Sequence, residues 1–128
     1  MSRNEELAAA FFRATAAGDG DGIRALCSPE LRAVQNGGPP MDAEALAAFA
    51  TAVRALVPDF RYEEVRRAAT ADGFVEEHAV RGTLPDGSLL DLPACVVADV
   101  EDGRIVALRE YLDGYAARPL IRALRDAG

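Results

Sequence analysis

From residue 60 onward the chain is punctuated by three reverse-turn signals, Asp72-Gly73, Pro85-Asp86-Gly87 and Asp102-Gly103, set between runs rich in aliphatic and aromatic residues. Dipeptides of this kind supply the backbone conformations that tight hairpins require, so the runs on either side fold back on one another. Phe60 to Ala71, Gly73 to Thr83, Leu89 to Val100 and Arg104 to Leu112 are therefore expected as four strands. Joined only by tight turns, they make an antiparallel meander.

The first half has a different period. Residues 4–17 place Leu7, Ala8, Phe11, Ala14 and Thr15 on one stripe of a helix that Gly18 closes. After the turn Asp19-Gly20-Asp21-Gly22 comes a short helix carrying Ile23, Leu26 and Cys27. Ser28-Pro29-Glu30 restarts the chain, and Asn36-Gly37-Gly38-Pro39-Pro40 is read as irregular. A third helix starts after Asp42, a suitable N-cap, and runs to about Leu56 before Pro58, with Leu46, Phe49, Val53 and Leu56 on one face. Gly114 to Leu124 is read as a closing turn or short helix interrupted by Pro119. Helices first and strands second make an α+β chain of one domain, 1–128.

Composition narrows the chemistry. All 14 basic residues are Arg, which excludes a lysine Schiff base or a phosphate-binding lysine. A net charge of −7 argues against a nucleic-acid partner, because phosphate backbones need a basic face. Cys27, Cys95 and the only histidine, His78, fall short of a structural zinc set, so no metal is expected, and both thiols are expected buried and reduced. No phosphate loop or dinucleotide fingerprint is present, so no cofactor is expected. No window approaches the roughly 20 apolar residues of a membrane span, and the N-terminus has no signal-type cleavage region. A soluble, cytoplasmic protein is the expectation, and the Ala- and Arg-rich, Lys-free composition fits a GC-rich, actinobacterial coding bias.

A bent sheet with helices across its open side makes a cone, a shape suited to a small apolar ligand. Val97-Ala98-Asp99-Val100-Glu101-Asp102-Gly103-Arg104-Ile105-Val106-Ala107-Leu108-Arg109-Glu110-Tyr111-Leu112-Asp113 resembles the F-x-h-x-d-G-K-I-x-x-h-x-[DE]-[YW]-x-D ending, with h apolar, of nuclear-transport-factor-two-like proteins. That superfamily includes ketosteroid isomerase, limonene-epoxide hydrolase and the SnoaL-like polyketide cyclases. The order of upstream elements is similar too, so the resemblance spans essentially the whole chain. It implies a cone-shaped, curved antiparallel sheet with three N-terminal helices enclosing a pocket, the cystatin-like roll. It also implies a homodimer formed through the outer sheet face, where Arg61-Tyr62-Glu63-Glu64-Val65-Arg66-Arg67 alternates charge.

Alternation along the last strand puts Val106, Leu108, Glu110 and Leu112 on one face. Three large aliphatics mark that face as the inner one, and a carboxylate among them is costly unless paired, protonated or used. In the SnoaL-like cyclases and limonene-epoxide hydrolase the base occupies the equivalent place, so the resemblance makes Glu110 the candidate acid/base residue. On the strand Gly73–Thr83, Phe74, Glu76, His78 and Val80 share a face, and His78 is the candidate partner of Glu110 across the sheet. Leu92 and Ala94 on the next strand, Val80, Leu108, Leu112, and Phe11, Phe49 and Val53 from the helices are the expected pocket walls, with Tyr62 a candidate hydrogen-bond donor.

The chain also departs from its characterised relatives. It lacks the Asp-Arg-Asp arrangement of limonene-epoxide hydrolase, and it reads Ala94-Cys95-Val96 where ketosteroid isomerase needs a protonated Asp. The expectation is a small-molecule pocket protein doing cofactor-free acid/base chemistry on an apolar substrate, as a cyclase, isomerase or epoxide hydrolase. The alternative is a non-catalytic ligand-binding or dimeric scaffold domain.

Overall fold

A computed structural model describes residues 2–128. Helices α1 (Arg3–Ala17) and α2 (Gly20–Leu26) lead into strand β1 (Cys27–Gln35), followed by α3 (Ala43–Leu56), strands β2 (Arg61–Ala69), β3 (Gly73–Thr83), β4 (Leu89–Glu101) and β5 (Arg104–Leu112), and a final helix α4 (Gly114–Ala127). The strands form one curved, unclosed sheet in the order β1-β5-β4-β3-β2. The class is α+β, as expected.

The sheet differs from the expected meander in one strand. β2 to β5 pair antiparallel throughout, whereas β1 joins the far edge parallel to β5, so the sheet is mixed and β1 separates α2 from α3. The segment hid its strand character behind Pro29. Its register is broken between Cys27 and Arg32, so Pro29 falls where the ladder asks for no N–H, which an edge strand tolerates. Cys27, Leu31 and Ala33 are buried and tie this edge to the core. Asn36, in the left-handed region at φ 50°, extends the pairing with its side chain. Its Nδ2 donates to the Leu112 carbonyl at 3.0 Å, and the Leu112 N–H donates to its Oδ1 at 3.0 Å.

The C-terminal segment also forms more structure than expected. α4 continues to Ala127 with Pro119 inside it. Proline there removes the bond to the Tyr115 carbonyl, but that turn faces water and Tyr115 is exposed, so solvent can satisfy the freed group. Burial of Ala117 and Leu120 on the opposite side holds the helix against the sheet. Asp113 caps it by accepting from the N–H groups of Tyr115 and Ala116. Asp42 does the same for α3 through Ala45 at 2.8 Å.

Two apolar clusters sit between sheet and helices. One joins Phe11, Phe12, Ile23, Leu31, Phe74, Ile105 and Leu108, and the other joins Val57, Val80, Leu90, Leu92 and Leu120. Each of these large side chains contributes about 1.5–3 kcal/mol by leaving water. At Gly73 the strands approach so closely that a Cβ would lie 2.0 Å from the Ala98 carbonyl oxygen, so the turn glycine is also a packing requirement. Among the described residues no helix is long and apolar enough to cross a membrane. Cys27 is buried, but Cys95 is only partly so, contrary to the expectation of two buried thiols.

Candidate functional site

Where the two clusters meet, the concave side of the sheet leaves a cavity of about 130 Å³. Phe11 and Phe12 of α1, Phe49 and Val53 of α3, Tyr62, Val80, Leu92, Leu108 and Leu112 of the sheet, and Ala117, Leu120 and Ile121 of α4 line it. Of the expected wall residues only Ala94 is absent; it is buried in the second cluster, and Val96 of the same strand face lines the cavity instead. The rings make a connected wall: Phe11 on Phe12 at 5.1 Å between centroids, Phe12 on Tyr62 at 5.5 Å and Phe60 on Tyr62 at 5.3 Å, all edge to face.

Among the described residues Glu110 is the one acidic residue on this wall, and no basic residue lines it. The register that pairs β1 with β5 sets Gln35 directly beside it, and the Gln35 Nε2 donates to Glu110 Oε1 at 2.7 Å. Among the described residues no arginine pairs with Glu110. Gln35 was not legible as a site residue because the edge strand that carries it was not. Thr15 and Tyr62 supply the remaining polar side chains of the lining. The Thr15 hydroxyl lies 3.1 Å from the Phe12 carbonyl and shares a 2.9 Å bond with the Tyr62 hydroxyl in which either oxygen can donate. Burial is the main influence holding the Tyr62 phenol well above its ordinary range. The Thr15 bond opposes that, and the nearby charges of Glu110 and Glu76 add to it.

His78 does not meet Glu110. The ladder aligns Glu110 with Val96 and Glu76, whereas His78 aligns with Ala94 and Leu112, one row further along. β3 and β5 are also two strand spacings apart, roughly 10 Å. The actual partner of His78 is Glu76 on its own strand: Nδ1 lies 2.6 Å from Glu76 Oε2, with both side chains fully buried. Arg67 Nε donates to the other oxygen, Oε1, at 2.7 Å. A hydrogen on Nδ1 serves Glu76, and a second one on Nε2 would be buried with no acceptor, since Nε2 has no partner among the described residues. The imidazole stands outside the cavity lining, stacked on Tyr62 at 4.2 Å and meeting the edge of Phe12 at 5.2 Å. Glu76 was visible on the same strand face as His78, and their spacing of two was the available signal for this pair.

Among the described residues no cluster of three or more His, Cys, Asp or Glu side chains is arranged as a metal site. The arrangement is a small aromatic cavity with one held carboxylate, backed by the buried Glu76–His78 pair and a partly exposed Arg67.

Comparison with solved structures gives the same fold many times over. A proposed polyketide cyclase from Streptomyces antibioticus is 22% identical, with a TM-score of 0.78 over 93% of this chain and 99% of that one. An LEH-like epoxide hydrolase from M. tuberculosis is 22% identical, with a TM-score of 0.76 over 98% and 94%. An NTF2-like protein of unknown function from Burkholderia pseudomallei is 21% identical, with a TM-score of 0.77 over 97% and 98%. At such identities the likeness speaks to fold alone, and these neighbours differ in activity. No curated protein matches the chain. Residues 8–108 match the family model described as a SnoaL-like domain, which takes in most of α1 and most of the sheet, so the chain belongs to the SnoaL-like domain family.

Proposed function

We propose that the chain binds a small, largely apolar molecule in this cavity and carries out cofactor-free acid/base chemistry on it, with Glu110 as the group that takes and returns the proton. The observation that supports this is Glu110 itself: a carboxylate set into an aromatic and aliphatic wall, held by the neutral Gln35 amide. Proton removal beside a carbonyl, or from a water attacking an epoxide, requires a base within about 3 Å of the proton, held in fixed geometry. Gln35 supplies the fixing. His78 would not act on substrate in this scheme; it would serve as a positioning residue, backing Tyr62 from behind.

Two observations favour a second reading, a ligand-binding or scaffold domain without turnover. The cavity falls below the roughly 300–1,000 Å³ of ordinary ligand sites, and the histidine is sequestered from it. On the convex side of the sheet, Tyr111 is 52% exposed, which supports a proposed homodimer through that face.

The test is hydrogen–deuterium exchange beside the carbonyl of small cyclic ketones, together with opening of small epoxides, followed by mass spectrometry. Catalysed exchange or opening that disappears in Glu110→Gln, with the fold retained, supports the acid/base role. Binding with no conversion of any compound supports the second reading.

A further inference from the structure

The polar side chains of the cavity share one feature: each keeps an oxygen able to accept a further hydrogen bond. Gln35 gives one amide N–H to Glu110, and its second N–H and its carbonyl oxygen make no further hydrogen bond among the described residues. The Tyr62 and Thr15 hydroxyls share a bond at 2.9 Å, and the phenol oxygen keeps a lone pair whichever of the two donates. Glu110 contributes a carboxylate with no cation beside it. A wall with several such oxygens is complemented by a ligand rich in donors. A wall with an uncompensated negative charge is complemented by a positive one.

We infer that the cavity is a binding site for a small alkylammonium ion, a primary or secondary amine in its protonated form carrying a compact apolar group. The ammonium hydrogens would meet Glu110, the Gln35 carbonyl and the Tyr62 oxygen, while the alkyl group would lie on Phe11, Phe12 and Phe49. Aromatic rings suit such an ion beyond their apolar area, because their π faces attract cations. Size limits the class. A cavity of about 130 Å³ is comparable to the roughly 150 Å³ space that accommodates one benzene, so the ligand has about six non-hydrogen atoms. The chain's net charge of −7 draws cations towards the protein in general. This ligand class is independent of whether Glu110 also transfers a proton.

The full chain tests this with one isosteric pair, cyclopentylammonium and cyclopentanol, by calorimetric titration at neutral pH and low salt. The ammonium is expected to bind at least tenfold more tightly than the alcohol, and Glu110→Gln is expected to erase or reverse that preference. A second readout needs no variant. The side-chain amide resonances of Gln35 should shift on adding the ammonium and stay in place when the alcohol is added at the same concentration. Equal or tighter binding of the alcohol, an ammonium affinity unchanged by Glu110→Gln in a folded variant, or no binding of either compound at millimolar concentration would each overturn the assignment.

Discussion

His78 Nδ1 and Glu76 Oε2 lie 2.6 Å apart with neither side chain reached by solvent. The contact runs along one strand face, between residues two apart, and Arg67 closes it from β2 at 2.7 Å. A buried carboxylate is tolerable here because both oxygens are occupied. Removing it would strand an arginine and an imidazole whose other nitrogen already lacks a partner among the described residues.

Glu76→Ala should therefore destabilise the chain by about 3–5 kcal/mol, the range for breaking a buried ion pair from one side. The combined replacement Arg67→Met, Glu76→Leu and His78→Phe should lose less than Glu76→Ala alone, because it leaves no buried charge. Urea-unfolding midpoints decide the point. If the triple replacement is the less stable of the two, the set contributes net stability, and the desolvation argument fails.

The same asymmetry applies at the cavity wall. Gln35→Leu removes the one hydrogen-bond donor on the Glu110 carboxylate among the described residues and should cost about 1–3 kcal/mol. Adding Glu110→Leu to Gln35→Leu should restore part of the loss, since apolar groups then face apolar groups. A double change whose cost equals the sum of the singles would show that the two side chains are not coupled, and would remove Gln35 from its positioning role.

The elements were legible in the sequence where local chemistry and tertiary placement agree. Asp72-Gly73 and Asp102-Gly103 turn the chain where the hairpins lie, with Gly73 at the start of β3, and both Asp102, at φ 52°, and Gly103, at φ 75°, adopt the left-handed backbone that such turns require. Period-two alternation likewise placed Leu108, Glu110 and Leu112 on the cavity side. Two elements were obscured by proline. Pro29 sits at a break in an edge ladder and Pro119 on the wet side of a helix, positions where tertiary structure removes the usual penalty. The His78–Glu110 pairing failed for a different reason. Parity fixes the face on which a side chain lies but not its row, and a one-row offset across two strands put Val96 beside Glu110 and left Glu76 as the reachable carboxylate.

The two thiols should behave differently. Cys27 is 1% exposed, and burial pushes its thiol up to about 11, so little thiolate is available to attack a disulfide reagent. Cys95 is partly exposed on β4, in register with Glu77 and Tyr111. Native protein at about pH 8 should release chromophore rapidly from one thiol and slowly from the other. Cys95→Ser should delete the rapid phase, and denaturant should make both thiols of the wild type fast. Two rapid thiols in the native state would mean that the β1 edge opens on the timescale of the assay.

Acid should loosen the chain where β2 begins. Asp59 accepts from the Thr83 backbone N–H at 2.7 Å and from the Thr83 hydroxyl at 2.8 Å, linking the entry of β2 to the end of β3. Those two bonds hold its carboxyl below the ordinary range, the backbone bond most, with Arg61 adding a smaller pull in the same direction. The folded state therefore favours the ionised form. The stability this gives is fully present above the unfolded value of about 3.9 and is lost as pH falls through the lower folded value. The gap in urea midpoint between the wild type and Asp59→Ala should accordingly be constant from about pH 7 to pH 5 and narrow below about pH 4. A gap that stays the same width through that acid range would show that Thr83 is held equally well by the protonated carboxyl, and that the acid limb of stability arises elsewhere, with Asp99 beside Arg109 the next carboxylate to replace.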